Sequence, residues 1–177
     1  MSDQFTSDHK GSGKTGTDGS VKLRSVSLQA VGGQERRATV NAVDYWNLVR
    51  GDALVPSLGD IEVMDSATIW NSRFLIRRDR HIADSVFIVC GAAARRAIDL
   101  PALGRSLADA LPRSIDEEVY RACQMAANGL RPEHLQGEFT RIDGQDIQFR
   151  AVFMPLRALS NDLGYVFGAF SGRTLPN

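Results

Sequence analysis

Three strand-like segments close together near the C-terminus constrain the fold of this chain more than any other feature. The segments are EHLQGEFTRI (133–142), QDIQFRAVFMPL (145–156) and GYVFGAFSG (164–172). The short turn DGQD joins the first two, and the polar loop LSNDLG precedes the third. Strands joined by such short connections pair in antiparallel fashion. The segments therefore predict a three-stranded antiparallel meander.

Two more β-rich segments lie upstream and are separated from the meander by helical segments. They are RFLIRRD (73–79) and DSVFIVCG (84–91), and the polar turn RHIA joins them as a hairpin. Two short helices follow, in GAAARRAIDL and SLADALP, and then a longer helix over 115–130. Ser114 and Glu117 have the spacing of a capping box at the start of that helix.

A further helix is predicted before the first strand. The segment GQERRATVNAVDYWNLVRG (33–51) repeats apolar residues at helical spacing, and Gly51 suits its end. The order of elements predicts an α+β fold, with a five-stranded antiparallel sheet and helices on one face, preceded by an N-terminal helix over about 34–50. The domain is expected to span residues 34–177.

The N-terminal segment differs in composition from the rest of the chain. All the lysines lie within it, and its apolar residues are sparse. It contains Gly13, Lys14 and Thr15, the end of a phosphate-binding loop, but Asp8 stands where that motif needs its first glycine. No buried strand leads into the motif and no helix leads out of it, so residues 1–33 are predicted to be a flexible polar tail.

Charge and hydropathy exclude several classes of protein. The formal net charge is zero at neutral pH, which argues against binding to nucleic-acid backbones. No apolar run reaches about 18 residues, so no membrane span is predicted. The N-terminus also lacks the pattern of a secretory signal. The two cysteines lie in apolar stretches without metal-ligand spacing, which is typical of reduced thiols in a cytoplasmic protein.

Three stretches carry a resemblance to a known family. YWNLVRGDALVPSLGDIEVMD (45–65) combines a Tyr-Trp start with Arg-Gly and Asp-Ile pairs. VFIVCGAAARRAIDLPALGRSLADAL (86–111) has a strand, a glycine turn, a short helix and a G-x-x-L segment. FRAVFMPL…YVFGAF (149–170) has a Pro-Leu pair closing one strand and a glycine inside the next. Together they resemble the PAS-domain family, in particular the short single-domain PAS-like proteins common in alphaproteobacteria. The resemblance implies a cytoplasmic sensory or regulatory domain that binds a small molecule or a signalling protein and has no output domain of its own.

The cofactors of some PAS domains are not expected here. A haem-binding relative would carry its axial histidine on the long helix, whereas the histidines are His9, His81 and His134. A flavin-binding light sensor would carry a reactive cysteine in an Asn-Cys-Arg-Phe motif, whereas Cys123 lies in RACQMA. Neither haem, flavin nor a metal is therefore expected.

No catalytic residues are predicted. The acidic cluster Asp116, Glu117 and Glu118 falls in the first turn of the long helix, where carboxylates interact favourably with the helix dipole. Two alternatives to a sensor remain open. One is a small α+β enzyme of the ketosteroid-isomerase type, which needs an acid in an apolar pocket. The other is a structural adaptor that forms dimers and has a filled core.

A mostly apolar ligand pocket is predicted between the sheet and the long helix. Alternation with a period of two places Phe149 and Phe153 on one strand face, although sequence alone does not fix which face points inward. A small uncharged or weakly acidic ligand is expected, with Tyr120 or Arg121 as its polar contact. The predicted lining residues are Phe87, Val89, Tyr120, Arg121, Cys123, Phe149, Phe153 and Phe167.

A homodimer is also predicted, through the helix at 34–50. Val43, Trp46 and Val49 form an apolar strip on this helix, outside the expected core. The alternative is that part of the strip packs on the chain's own sheet.

Overall fold

The computed structural model describes residues 33–61, 70–158 and 164–176. The predicted polar tail, apart from Gly33, lies outside these residues. The helices are α1 (Gly33–Arg50), α2 (Ala92–Ile98), α3 (Leu107–Ala110) and α4 (Asp116–Gly129). The strands are β1 (Arg73–Arg77), β2 (Val86–Cys90), β3 (Glu133–Thr140), β4 (Asp146–Leu156) and β5 (Tyr165–Thr174).

All five strands form one antiparallel sheet in the order β2-β1-β5-β4-β3. The last strand in the chain therefore lies at the centre, between the first strand and the C-terminal hairpin. The α+β fold with a PAS-like five-stranded sheet and an N-terminal helix, predicted from the sequence, is confirmed. The DGQD turn between β3 and β4 is also confirmed, with Gly144 in the left-handed region at φ +83°.

One face of the sheet packs against α2, α3 and α4, and we call the side chains between them the inner layer. The predicted face of β4, with Phe149, Ala151 and Phe153, lies here, as do Val166 and Phe170 of β5. Burial of each large apolar side chain stabilises the fold by about 1.5–3 kcal/mol. From the helices come small and branched side chains, which include Ala94, Ile98, Leu107, Val119, Ala122, Cys123 and Ala126.

The opposite face of the sheet packs against α1, and we call these side chains the outer layer. Alternate residues of the same strands supply it, because successive side chains of a strand point to opposite faces. The buried members are Ala42, Trp46, Ile61, Trp70, Leu75, Val152, Met154, Leu156, Phe167 and Ala169. Within the described ranges, helices thus cover both faces of the sheet, with α2, α3 and α4 on one side and α1 on the other.

The predicted dimer strip on α1 therefore faces the chain's own sheet. Trp46 is 3% exposed, and its indole N–H donates a hydrogen bond to the carbonyl of Pro155 at 2.9 Å. Val43 and Val49 are partly buried against the same layer. β4 and β5 therefore cover Trp46, which is the alternative that the sequence left open, while Val43 and Val49 stay partly exposed. The homodimer stays a prediction.

The central strand contains a glycine that the inner layer requires. Gly168 lies opposite both Phe74 of β1 and Phe153 of β4. A Cβ atom at this position would overlap the ring of Phe74 and the carbonyl of Val152. The absence of a side chain lets the Phe74 ring lie across the strand, with its centroid 5.3 Å from that of Phe153.

The start of α4 differs from the predicted capping box. The residue at the cap position is Ile115, which offers no side-chain acceptor. Ser114 instead donates its hydroxyl hydrogen to the carbonyl of Thr140, at 2.8 Å. The Ser114 hydroxyl therefore links the start of α4 to the end of β3.

Candidate functional site

A groove opens where three strands end, and we call it the strand-end groove. Its volume is about 420 Å³. The end of β4, the start of β5 and the residue after β1 form its floor, and the end of α4 and the segment after α1 form its walls. The lining residues are Ala53, Leu54, Val55, Arg78, Ala127, Leu130, Pro155, Leu156, Arg157, Ala158, Gly164 and Tyr165.

Backbone hydrogen bonds fix the wall that follows α1. The N–H of Arg157 donates to the carbonyl of Pro56 at 2.8 Å, and the N–H of Leu58 donates to the carbonyl of Arg157 at 3.0 Å. The guanidinium of Arg50 donates to the carbonyl of Ala53 at 3.0 Å. These bonds hold the wall segment against the end of β4, so the groove does not depend on side-chain packing alone.

Two arginines give the groove its charge. Arg78 follows β1 and is half-buried, while Arg157 follows β4 and is exposed. No carboxylate lines the groove among the described residues. Asp60 lies near Arg157, and its pKa is lowered by hydrogen bonds from Ser57 and, to a lesser extent, by the charge of Arg157. The Oδ2 atom of Asp60 accepts hydrogen bonds from the N–H and hydroxyl of Ser57, at 2.6 and 2.8 Å.

The remaining lining of the groove is apolar. Val55, Pro155 and Leu156 are buried, while Leu54 and Leu130 at the rim are 67% and 43% exposed. Exposed apolar side chains beside a concave apolar surface are typical of a binding site. The groove therefore combines an apolar surface with two arginine side chains.

The residues predicted to line one pocket do not all lie together. Phe87, Cys123, Phe149 and Phe153 belong to the inner layer, and Tyr120 packs partly against it. Arg121 is exposed on α4. Phe167 and Val89 lie in the outer layer, so grouping them with the others was wrong.

A β-bulge explains the position of Val89. Leu75 lies opposite Val89, but the next residue of β1, Ile76, lies opposite Phe87, so Ile88 has no partner on β1. One extra residue reverses the alternation of side chains. Phe87 and Val89 therefore face opposite sides of the sheet although they are two residues apart.

Aromatic rings in the inner layer contact one another. Phe149 and Phe170 stack at a centroid distance of 5.0 Å, and Phe139 meets both rings edge-on at 5.6 and 6.3 Å. Phe74 meets Phe87 edge-on at 5.7 Å. Such contacts favour close packing of sheet and helices over an internal space. The ligand pocket expected in this layer stays a prediction.

The hydroxyl of Tyr120, one of the two predicted polar contacts, is enclosed. It has no hydrogen-bond partner among the residues that the structure describes. Its pKa is raised, first by burial and then by the negative charge of Asp116. The phenol therefore stays protonated at neutral pH, where it can only donate or accept a hydrogen bond.

The thiols and the buried acid do not form a catalytic set. Burial raises the pKa of both Cys90 and Cys123 to about 12, so neither is a thiolate at neutral pH. Asp116 is buried, but Arg113 pairs with it at 3.0 Å and the N–H of Glu117 donates to it. Within the described ranges, no group of three or more His, Cys, Asp or Glu side chains is placed to hold a metal ion.

The strand-end groove was missed at the sequence level. The sequence pattern assigns no role to Arg78 or Arg157. The available signal was an arginine directly after each of two strand segments. Recognising it required the order of the strands, which brings the ends of β1 and β4 to either side of β5.

The class defined by the sheet and helices is an α+β domain with a PAS-like antiparallel sheet. No protein-family model matches the sequence, and no curated protein matches it. Among solved structures, the chain is similar to a fungal LOV domain photoreceptor, with 15% identity over 64% of this chain and 81% of that chain and a TM-score of 0.40.

None of the helices within residues 33–61, 70–158 and 164–176 is long and apolar enough to cross a bilayer.

Proposed function

We propose that this chain is a PAS-like sensory or regulatory domain that acts by binding, with the strand-end groove as its small-molecule site. The groove itself carries the proposal. Its volume of about 420 Å³ falls within the range of about 300–1,000 Å³ typical of ligand sites. It also combines the features expected of such sites, a mostly apolar lining with a few polar groups that orient the ligand.

The placement of ionisable groups supports binding rather than catalysis. A ketosteroid-isomerase-like enzyme needs a carboxyl group in an apolar pocket, free to exchange a proton with the substrate. Asp116 is buried, but it is paired with Arg113 at the first turn of α4. Its geometry suits a structural role at the helix N-terminus.

A structural adaptor is the second candidate, and the ring contacts of the inner layer favour it. An adaptor acts through a partner surface and needs no small-molecule site. It is proposed to form homodimers, which sedimentation at tens of micromolar protein would detect. A monomer under these conditions, with no small molecule bound, would contradict both the dimer and the adaptor.

Native mass spectrometry of the purified chain tests the proposed function, together with thermal unfolding against a panel of small metabolites. We expect a retained small molecule or a concentration-dependent rise in Tm, because a ligand that binds only the folded state stabilises it. Ala127→Leu, which adds bulk inside the groove, should reduce the effect. Met125→Leu, at an exposed position of the same helix, is the matched control. No retained mass and no rise in Tm with any compound would refute the small-molecule role.

A further inference from the structure

The sheet has two edge strands, β2 and β3, and the edge of β2 is protected. The segment between α2 and α3 covers it, because the N–H of Gly104 donates to the carbonyl of Phe87 at 3.1 Å. Just before β2, the N–H of Leu107 donates to the carbonyl of Ser85 at 2.7 Å. The bulge at Ile88 also interrupts this edge. Covering segments and bulges both keep an edge strand from pairing with another chain.

The edge of β3 lacks both of these devices. Its register with β4 runs through all eight residues, from Glu133 to Thr140, without a bulge. The sheet ends at β3, and among the described residues no other segment forms a β-bridge with this strand. A regular edge strand that nothing covers is able to pair with the edge of another sheet.

The hydrogen bonds of the β3–β4 hairpin identify which backbone groups of β3 are free. The N–H of Arg141 donates to the carbonyl of Gln145 at 2.9 Å, so these two residues form a hydrogen-bonded pair. Such pairs alternate along an antiparallel ladder, so the odd-numbered residues of β3 direct their backbone groups to β4. The even-numbered residues direct theirs away from it. The residues that offer both N–H and C=O at this edge are His134, Gln136 and Glu138.

The side chains of these three residues complement one another when two β3 strands run in opposite directions about Gln136. His134 of each copy then lies opposite Glu138 of the other, and the two Gln136 residues face each other. An imidazole N–H can donate to a carboxylate, and two amides can exchange hydrogen bonds. All three side chains are exposed. Within one copy, Glu138 accepts a hydrogen bond from Gln148 at 3.4 Å, which uses only one carboxylate oxygen.

The register centred on Gln136 also fits the ends of the strand. Thr140 of each copy lies opposite Pro132 of the other, which has no N–H to donate. The carbonyl of Thr140 needs no such donor, because it accepts the hydroxyl hydrogen of Ser114 at 2.8 Å. A register centred on Glu138 would instead bring two carboxylates together, and like charges directly opposite destabilise a sheet.

We propose that two copies of this chain pair through the edge of β3, in antiparallel register centred on Gln136, and so join their sheets. This goes beyond the small-molecule role and rests on the proposed homodimer, whose surface it names. No described residue of β3 lines the strand-end groove, so the two surfaces are separate. Each of the three facing pairs exchanges two backbone hydrogen bonds, and the side-chain pairs fix the register.

Gln136→Pro tests the edge. Proline removes an N–H that points away from β4, so the β3–β4 hairpin keeps its own hydrogen bonds. We expect the dissociation constant of the dimer, measured by sedimentation equilibrium at tens of micromolar protein, to rise at least about tenfold. Gln136→Ala is the matched control, because it keeps the N–H and should weaken pairing less. Urea unfolding shows whether each variant is folded.

Exchange of the facing side chains tests the proposed contact between copies. His134→Glu places a carboxylate opposite Glu138 of the second copy, and should raise the dissociation constant about tenfold. The double variant His134→Glu/Glu138→His restores the same pair in reverse order and should restore dimer formation. Loss without rescue would show that these two residues do not face each other across an interface. This pair of variants also tests the edge if Gln136→Pro does not fold.

Cysteine cross-linking tests the register. Facing Gln136 residues would have Cα atoms about 5.5 Å apart, within reach of a disulfide. Gln136→Cys, made in Cys90→Ala because Cys123 is buried, should therefore form a covalent dimer on oxidation. Thr140→Cys is the matched control, since Thr140 is equally exposed but about 27 Å from its own copy in this register. Non-reducing electrophoresis separates the products.

Three results would overturn the proposal. A wild-type chain that is monomeric at tens of micromolar would exclude the dimer, whether or not a small molecule is bound. An unchanged dissociation constant in folded Gln136→Pro would place the interface on another surface and leave the homodimer standing. Equal cross-linking of Gln136→Cys and Thr140→Cys would reject the register. Retention of a small molecule in native mass spectrometry is a separate result, and it bears on the groove alone.

Discussion

The two faces of the sheet are covered in different ways. The inner layer is covered by three helices and consists of apolar side chains, with phenylalanine rings in contact across β1, β4 and β5. The outer layer is covered by α1 and contains polar groups as well. Arg73 is buried there, with its guanidinium 4.5 Å from the ring centroid of Tyr45 and 5.7 Å from that of Phe167.

This difference shows that the two layers depend on different forces. The inner layer is stabilised by close packing, so neighbouring rings have to shift if a single methyl group is added there. In the outer layer, one long-range hydrogen bond and cation–π contacts supplement apolar burial. Burial lowers the pKa of Arg73, yet an arginine still remains charged at neutral pH. The outer layer should therefore be sensitive to loss of a single anchor, and the inner layer to added bulk.

Removal of the anchor of the outer layer should have the largest effect. Trp46→Ala deletes a buried side chain and the hydrogen bond to Pro155, so it should lower the free energy of unfolding by about 3–5 kcal/mol. Urea unfolding followed by circular dichroism measures the change. Leu48→Ala, on the same helix but 78% exposed, should stay within about 0.5 kcal/mol of wild type. Similar losses in both variants would show that α1 does not pack through Trp46.

Added bulk in the inner layer should have the next largest effect. Gly168→Ala places a methyl group against the Phe74 ring and the Val152 carbonyl, and should cost about 1–3 kcal/mol of stability. The matched control is Gly137→Ala on β3, where the nearest atom to the new Cβ, in the Phe149 ring, lies at 3.5 Å, an ordinary contact. The control should be neutral or slightly stabilising, because alanine loses less backbone entropy than glycine. Equal urea midpoints for the two variants would mean that the inner layer can expand.

Alkaline pH should weaken the inner layer by a smaller amount. Burial raises the pKa of Cys90 and Cys123 from 9.0 to about 12, so from pH 9 upward the unfolded chain loses protons that the folded chain keeps. Stability should therefore be unaffected by these thiols below pH 9 and should fall as the pH rises towards 12. The urea midpoint, measured from pH 7 to 10, should fall less steeply in Cys90→Ala/Cys123→Ala than in wild type. Parallel curves would show that the thiols are not buried as described.

The sequence alone determined the type and order of the elements. Helical spacing marked α1 and α4, and β-rich runs separated by turns marked the five strands, because both signals are local. Strict alternation along a regular strand also showed which residues of β4 and of β5 share a face. It did not show which of the two faces points inward. On α4 the buried apolar residues Val119, Ala122, Cys123 and Ala126 follow helical spacing.

Only the tertiary structure decided which surfaces meet. The bulge at Ile88 reversed the alternation of side chains along β2. The chain's own sheet covers Trp46. Neither result could be predicted locally, because strand pairing and helix packing involve residues far apart in sequence. The strand-end groove depends on the same long-range arrangement, since its lining residues come from distant parts of the chain and are brought together by the strand order. Local patterns record what each segment can form, whereas a binding surface is a property of the segments after they have assembled.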